Sequence, residues 1–278
     1  MKISVSTAVY GKADLDRIIF RAAELGYDGV ELTGAIHIPV ETPAERRRQV
    51  KGWIDSAGIE CSGLHYIWDG SVKLATSDKE EMKKCREYLC KVIDMASDLE
   101  ARTVIVGSGG KTRSFEEGQD RAEVTKCMAE VIRDSGEYAR GKGVYLAMEA
   151  INRYETNFLN TLKEAVEFTK LVDHPYVKTM ADTYHMNIEE VCPADEMRKY
   201  GHTLANIHFA DSNRQAPGEG HFDFASLAQA MKEIDFSEYI SFEVFGLYPW
   251  KLWFDTFEEA DGQMERGIKF VRKLFGEA

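Results

Sequence analysis

Strand-like and helix-like segments alternate along the whole of this chain. The strand-like segments are short apolar runs at residues 2–7, 28–32, 60–64, 103–107, 145–149, 177–182, 204–208 and 240–243. Each is followed by residues at helical spacing, and such alternation predicts parallel strands joined by right-handed crossovers. Eight units in 278 residues favour a closed (β/α)₈ TIM barrel over an open doubly wound sheet. Because no Pro/Gly-rich linker or charge block marks a boundary, we expect residues 1–278 to form a single TIM-barrel domain.

The charge and the cysteines narrow the class of protein. A net charge of −12 argues against a nucleic-acid surface, although a local basic pocket for a sugar phosphate remains open. The five cysteines are odd in number and form no CxxC pair, as in reduced cytoplasmic proteins. No signal-peptide core and no run of about 18 apolar residues is found. We therefore expect a cytoplasmic protein with no nucleic-acid and no membrane partner.

The last four predicted strands each end in a side chain that can bind a divalent metal. They switch from apolar residues to Glu149, Asp182, His208 and Glu243 in turn. In a barrel, consecutive parallel strands lie side by side, so these four side chains converge at the carboxyl ends of the strands. Three carboxylates in one place repel one another unless a cation is bound. The oxygen-rich set suits Mn²⁺, Mg²⁺ or Co²⁺ better than a structural zinc.

The segments around these positions resemble the signature segments of the ketose 3-epimerases. Residues 149–155, 182–190 and 208–214 carry the resemblance, which is to D-tagatose/D-psicose 3-epimerase-like members of the xylose-isomerase-like TIM-barrel sugar phosphate isomerase/epimerase superfamily. The resemblance implies an isomerase that epimerises C3 of a ketose through an enediolate. It implies a metal held by Glu149, Asp182, His208 and Glu243, and substrate contacts from Glu155, His185 and Arg214.

The same resemblance assigns Glu149 and Glu243 as the catalytic acid/base pair. Removal of a proton next to a carbonyl and its return from the opposite face needs two such groups. We expect Mn²⁺ as the cofactor, with Mg²⁺ or Co²⁺ as alternatives, a small-molecule sugar as the substrate, and a homodimer or homotetramer. The alternative without a role in substrate binding is that Arg153 and Glu155 form an ion pair within a loop and that Arg214 is exposed to solvent.

Several alternatives remain open at this point. An aldose–ketose isomerase would use much the same metal, and the superfamily also includes hydroxypyruvate isomerase, ketose-phosphate 3-epimerase and inosose dehydratase chemistry. A remote alternative is a DNA repair enzyme like AP-endonuclease IV, which the acidic charge and only seven histidines disfavour. A barrel that has lost catalysis is a third, which the intact Glu149 and Glu243 pair argues against.

The loop after the fourth strand is basic. Residues 107–113 suggest a phosphate cradle but fail the P-loop spacing, because Ile105 stands where the first glycine should be, so a tight turn is favoured. Lys111 and Arg113 are nevertheless candidates to meet a substrate phosphate, as are Lys73 and Lys251. His65 is the remaining histidine expected to face the pocket. An apolar wall, a subunit contact or ordinary packing are the alternatives for Trp68, Phe245, Tyr248, Trp250 and Trp253.

Overall fold

The architecture is a closed parallel barrel. The computed structural model describes residues 1–107, 110–246 and 251–276, with only the backbone of Gly110 and Lys111. Within these residues eight parallel strands pair in chain order, and the last closes on the first. This topology confirms the predicted TIM barrel. The strands are β1 (Ile3–Ser6), β2 (Gly29–Thr33), β3 (Glu60–His65), β4 (Thr103–Val106), β5 (Tyr145–Glu149), β6 (Val177–Asp182), β7 (Leu204–Phe209) and β8 (Tyr239–Phe242).

Helices surround the barrel and join consecutive strands. Three of them are short helices after β2, β4 and β6 that the sequence pattern did not predict, namely Gly34–His37, Gly110–Arg113 and Thr183–Glu189. Short 3₁₀ helices cover Thr7–Tyr10 and Gly201–Thr203. The α-helices of the described residues are α1 (Leu15–Glu24), α2 (Gly34–His37), α3 (Ala44–Ala57), α4 (Lys79–Asp98), α5 (Gly110–Arg113), α6 (Arg121–Lys142), α7 (Leu162–Val172), α8 (Thr183–Glu189), α9 (Pro193–Tyr200), α10 (Phe224–Glu233) and α11 (Phe257–Phe275).

The helix ends follow local sequence signals. Thr161 and Glu164 form a capping box at the start of α7, in which each side chain bonds the other residue's backbone N–H. Gly143 closes α6 in the left-handed conformation, with φ of 72°. The start of α3 lacks such a signal, because Pro43 takes the N-cap position without a side-chain hydrogen bond. No helix of the described residues is long and apolar enough to cross a membrane.

The barrel interior has an apolar half and a polar half. Side chains two residues before a site residue share its face of the strand, which places Ala147 and Met180 inside the barrel below Glu149 and Asp182. With Ile105 and Ala205 they form a small buried apolar cluster, separate from the main core between sheet and helices. The other half holds buried hydrogen-bonded groups from β1, β2, β3, β7 and β8: Ser4, Glu31, Ser62, Asn206 and Ser241.

Candidate metal centre and active site

The four strand-end side chains meet at the carboxyl end of the barrel. Glu149 and Asp182 are the last residues of β5 and β6, His208 lies near the end of β7, and Glu243 directly follows β8. The strand register pairs Asp182 with His208, which sets neighbouring side chains in one layer. One ligand atom from each of the four lies within 4.8 Å of the others, and all four side chains are buried. The convergence expected from the strand order is therefore present in the structure.

The donor set fits a hard divalent cation. Three carboxylates and one imidazole at this spacing supply the oxygen-rich coordination that Mn²⁺ and Mg²⁺ use. Buried carboxylates so close together are costly unless positive charge compensates them. Arg214 supplies part of that charge: its Nη1 lies 2.5 Å from Asp182 Oδ2 and its Nη2 lies 2.8 Å from Glu243 Oε2.

Glu243 is surrounded by donors. Besides Arg214, His208 Nδ1 lies 3.3 Å from its Oε2 and His65 Nδ1 lies 3.2 Å from its Oε1. Burial alone would raise the pKa of Glu243. The charges of Arg214 and His208, together with hydrogen bonds from both histidines, outweigh burial and hold this pKa well below its ordinary value.

Glu149 has the opposite surroundings. Within the described part of the chain no hydrogen bond reaches its carboxylate, and the closest histidine contact is His185 Nε2 at 3.9 Å from Oε1. Burial, followed by repulsion from Glu243, raises the pKa of Glu149 to about 8. The carboxylate packs on Gly107, where an added Cβ would stand 1.7 Å from Oε2. Glu149 therefore depends on the absence of a side chain at residue 107.

The three expected substrate-contact residues face the same cavity. Asn152 Nδ2 donates to Glu155 Oε1 at 2.9 Å and lies 2.8 Å from His185 Nδ1. Because an amide nitrogen only donates, His185 Nδ1 accepts, and the ring proton is on Nε2, which points toward Glu149. Burial lowers the pKa of His185 and so favours this neutral ring. The cavity, of about 140 Å³, is lined by His65, Tyr66, Glu149, Ile151, Glu155, His185, Arg214, Glu243, Phe245 and Leu252.

Arg153 and Arg214 have neither the loop ion pair nor the solvent exposure that the alternative without a role in substrate binding predicts. Arg153 pairs with Glu189 rather than with Glu155, with its Nε 2.9 Å from Glu189 Oε1. Arg214 is buried rather than solvated, and its guanidinium lies 4.7 Å from the ring centroid of Tyr184 and 5.1 Å from that of Phe245. Both aromatic rings therefore help to fix the guanidinium that pairs with Asp182 and Glu243.

Arg113 does not face the cavity, so its interpretation as a phosphate contact is wrong. Its side chain is fully buried and donates to three backbone carbonyls, those of Val106, Glu149 and Phe158, at 2.9, 2.7 and 3.1 Å. A basic loop residue at a barrel mouth looks exposed in the sequence, and no local signal marks it as buried. Arg113 instead ties the end of β4 to the end of β5.

The other lysines considered as phosphate contacts either form ion pairs or have side chains outside the described residues. Lys73 pairs with Glu116, and Lys251 pairs with Asp255. The side chain of Lys111 lies outside the described residues, as do Tyr248 and Trp250.

The aromatic candidates divide between cavity and packing. Phe245 lines the cavity, as the apolar wall requires, and Trp253 packs against it with ring centroids 6.2 Å apart. Trp68 stacks on Tyr88 at 5.8 Å as part of the main core. Trp68 is therefore ordinary packing.

Sequence reasoning missed Glu31, which contacts a proposed metal ligand. Its Oε2 lies 2.6 Å from His208 Nε2, although the two residues are 177 positions apart. Burial raises the pKa of Glu31, but the charge and hydrogen bond of His208 outweigh burial and lower it. The available signal was a charged residue between the two apolar residues Val30 and Leu32 of a short predicted strand. His65, in contrast, faces the cavity as expected.

The chain belongs to the family described as Xylose isomerase-like TIM barrel, which it matches over residues 19–274. It is 28% identical to D-psicose 3-epimerase of Enterocloster bolteae, covering 99% of this chain and 96% of that protein. It is also 28% identical to L-ribulose 3-epimerase of a Methylomonas species, covering 96% and 93%. The crystal structure of D-allulose 3-epimerase from a Methylomonas species in complex with D-allulose has a TM-score of 0.84 at 26% identity, covering 98% of this chain and 96% of that chain. These relatives are carbohydrate epimerases, which are isomerases.

Proposed function

We propose that this protein is a metal-dependent sugar epimerase that inverts C3 of a ketose through an enediolate. The observation that carries the proposal is the pair of buried glutamates, Glu149 and Glu243, which line one small cavity and each have a carboxylate oxygen within 4.8 Å of a ligand atom of Asp182 and of His208. The 3-epimerase relatives, which span nearly the whole chain, support the same reaction.

The proposed cofactor is Mn²⁺, with Mg²⁺ or Co²⁺ as alternatives, held by Glu149, Asp182, His208 and Glu243. When bound, such a cation polarises the substrate carbonyl and offsets the negative charge of the enediolate. The protein's own contribution is to hold three carboxylates together in a buried layer, which Arg214 assists from the side of Asp182 and Glu243.

The two glutamates are proposed to act on opposite faces of C3. One accepts the C3 proton and the other delivers a proton from the far side, so the carbon is inverted and the proton count is unchanged. Their contrasting surroundings suit two different roles, because among the described residues no hydrogen-bond donor reaches the carboxylate of Glu149, whereas Arg214, His208 and His65 surround that of Glu243. In the reverse direction the two roles exchange.

The remaining contacts are proposed to orient the sugar. The neutral ring of His185 offers an N–H, the Glu155 carboxylate offers an acceptor, and Arg214 offers donors to hydroxyl or carbonyl oxygens. Arg214 is already paired with two carboxylates. No other arginine and no lysine is found among the described residues that line the cavity. Because a phosphate group would need further positive charge, we propose a free ketose rather than a ketose phosphate. We further propose a single domain over residues 1–278, a cytoplasmic location, and a homodimer or homotetramer.

The test is product formation by the metal-free protein with and without Mn²⁺. D-fructose, D-tagatose and their phosphates are incubated separately, and products are identified by NMR. The expected result is the C3 epimer of a free ketose, formed only with the added metal and not by Glu149→Gln. Formation of an aldose would replace the proposal by an aldose–ketose isomerase. Turnover of phosphates alone would contradict the free-sugar assignment.

A further inference from the structure

Glu31 is a fully buried carboxylate that the proposed chemistry leaves without a role. It lies in β2, and its side chain crosses the interior to reach β7 and β8. Its Oε2 lies 2.6 Å from His208 Nε2. Its Oε1 accepts hydrogen bonds from Asn206 Nδ2 and, at 3.2 Å, from Ser241 Oγ. A buried carboxylate without such partners would cost several kcal/mol, so this placement is specific.

The polar half of the interior fixes Glu31 in turn. Ser241 Oγ lies 2.6 Å from Ser4 Oγ, which accepts from Ser62 Oγ at 2.8 Å. These hydroxyls come from three different strands, so the carboxylate is held by the barrel itself rather than by a loop. Both of its oxygens already have donors. Glu31 is thus placed to orient a neighbour rather than to coordinate a cation.

The neighbour that it orients is His208. A histidine has two ring nitrogens, and the one more closely bonded to a carboxylate keeps its proton when a cation replaces the proton on the other. Here Nε2 faces Glu31, and Nδ1 faces Glu243 and Asp182 at 3.3 and 3.8 Å. Carboxylate partners of this kind fix the ring of a metal-binding histidine, and their loss typically weakens metal binding by about 10–100-fold.

We propose that Glu31 is a positioning residue that holds His208 with Nδ1 directed at the site formed by Glu149, Asp182 and Glu243. The inference rests on the proposed function, because it assumes that these residues bind a cation. It predicts that Glu31 contributes to metal affinity although it does not touch the metal.

The test compares Mn²⁺ binding by the full chain and by Glu31→Gln. Glu60→Gln is the matched control: Glu60 is the first residue of β3 and pairs with Lys2 and Tyr239 at the other end of the barrel. Isothermal titration calorimetry of the metal-free proteins gives Kd and stoichiometry. We expect one ion per chain, about 10–100-fold weaker binding by Glu31→Gln, and no change for Glu60→Gln. Ser241→Ala, which removes one donor to Glu31, should weaken binding less and serves if Glu31→Gln does not fold.

Three outcomes would distinguish failure of the positioning role of Glu31 from failure of the proposed function. Equal Kd values for the unaltered protein and a folded Glu31→Gln would overturn the positioning role and leave the proposed function intact. Ligand atoms of Glu31, His65 and His208 also lie within 4.8 Å of one another. Two ions per chain, with one lost in Glu31→Gln, would make Glu31 a ligand of a second site there and would overturn the positioning role. Absence of any binding by the unaltered protein would overturn the proposed function, and this inference with it.

Discussion

The two halves of the barrel interior give two glutamates, Glu149 and Glu243, opposite surroundings. Glu149 stands above the apolar cluster formed by residues of β4 to β7, and among the described residues its carboxylate accepts no hydrogen bond. Glu243 stands on the polar side and is approached by Arg214, His208 and His65. The pKa of Glu149 is raised to about 8 and that of Glu243 is held well below its ordinary value. Residue type alone therefore does not define a role, since burial and the charged groups beside each carboxylate set its proton affinity.

The largest expected effect comes from removing either carboxylate. Glu149→Gln and Glu243→Gln should each lower kcat by about 10²–10⁴-fold, because each removes a proposed general acid or base. The measurement is the initial rate of ketose epimerisation at saturating metal, with Glu60→Gln as the control. If one of the two variants kept full activity, the proposal that Glu149 and Glu243 act together as acid and base would be wrong.

Arg113 tests how the Glu149 side is held together. Arg113→Met leaves the carbonyls of Val106, Glu149 and Phe158 without their donor. We expect a loss of about 3 kcal/mol in the free energy of unfolding by urea, since hydrogen bonds from charged groups contribute about 1.5–3 kcal/mol each and are not additive. The control is Lys73→Met, which breaks an ion pair with the exposed Glu116 and should cost less than about 1 kcal/mol. Equal losses would show that Arg113 is not a structural tie.

Gly107 tests the position of the Glu149 carboxylate alone. Gly107→Ala puts a methyl group where Oε2 lies, so the carboxylate must turn away. A displacement of about 1 Å can cost about 10²-fold in rate, which is the expected fall in kcat. Gly141→Ala in α6 is the control, because its added Cβ meets nothing within 4 Å. An unchanged rate in Gly107→Ala would mean that Glu149 does not need its present position.

The pH dependence of stability should differ in sign between the two halves. In metal-free protein, the contribution of Glu149 is fully present below its ordinary pKa of 4.5 and is lost as pH rises to about 8, because its folded pKa is raised. The contribution of Glu243 is present above 4.5 and is lost as pH falls, because its folded pKa is lowered. Urea unfolding in chelator from pH 3 upward measures both.

The two variants separate these contributions. Glu149→Gln should gain stability relative to the unaltered protein as pH rises from about 4.5 to 8, and Glu243→Gln should lose its relative deficit as pH falls below about 4.5. If the free energy of unfolding changed with pH in the same way in both variants, the opposite pKa shifts of Glu149 and Glu243 would be contradicted.

The sequence was sufficient for the features that repeat along the chain. Each strand carries its own apolar run, and the switch to Glu149, Asp182, His208 and Glu243 occurs at equivalent places, so barrel and convergence follow from order alone. Glu31 and Arg113 could not be read in this way. Their roles depend on partners across the barrel or on backbone carbonyls of other loops, which no local pattern encodes.

The most direct test of the central claim is the position of solvent deuterium in the sugar. The Mn²⁺-loaded protein is incubated with D-fructose or D-tagatose in deuterated water, and deuterium is located by NMR. We expect deuterium at C3, dependent on metal and abolished in both Glu149→Gln and Glu243→Gln. Deuterium at C1 instead, or its absence from every ketose tested, would contradict an epimerase that uses these two glutamates.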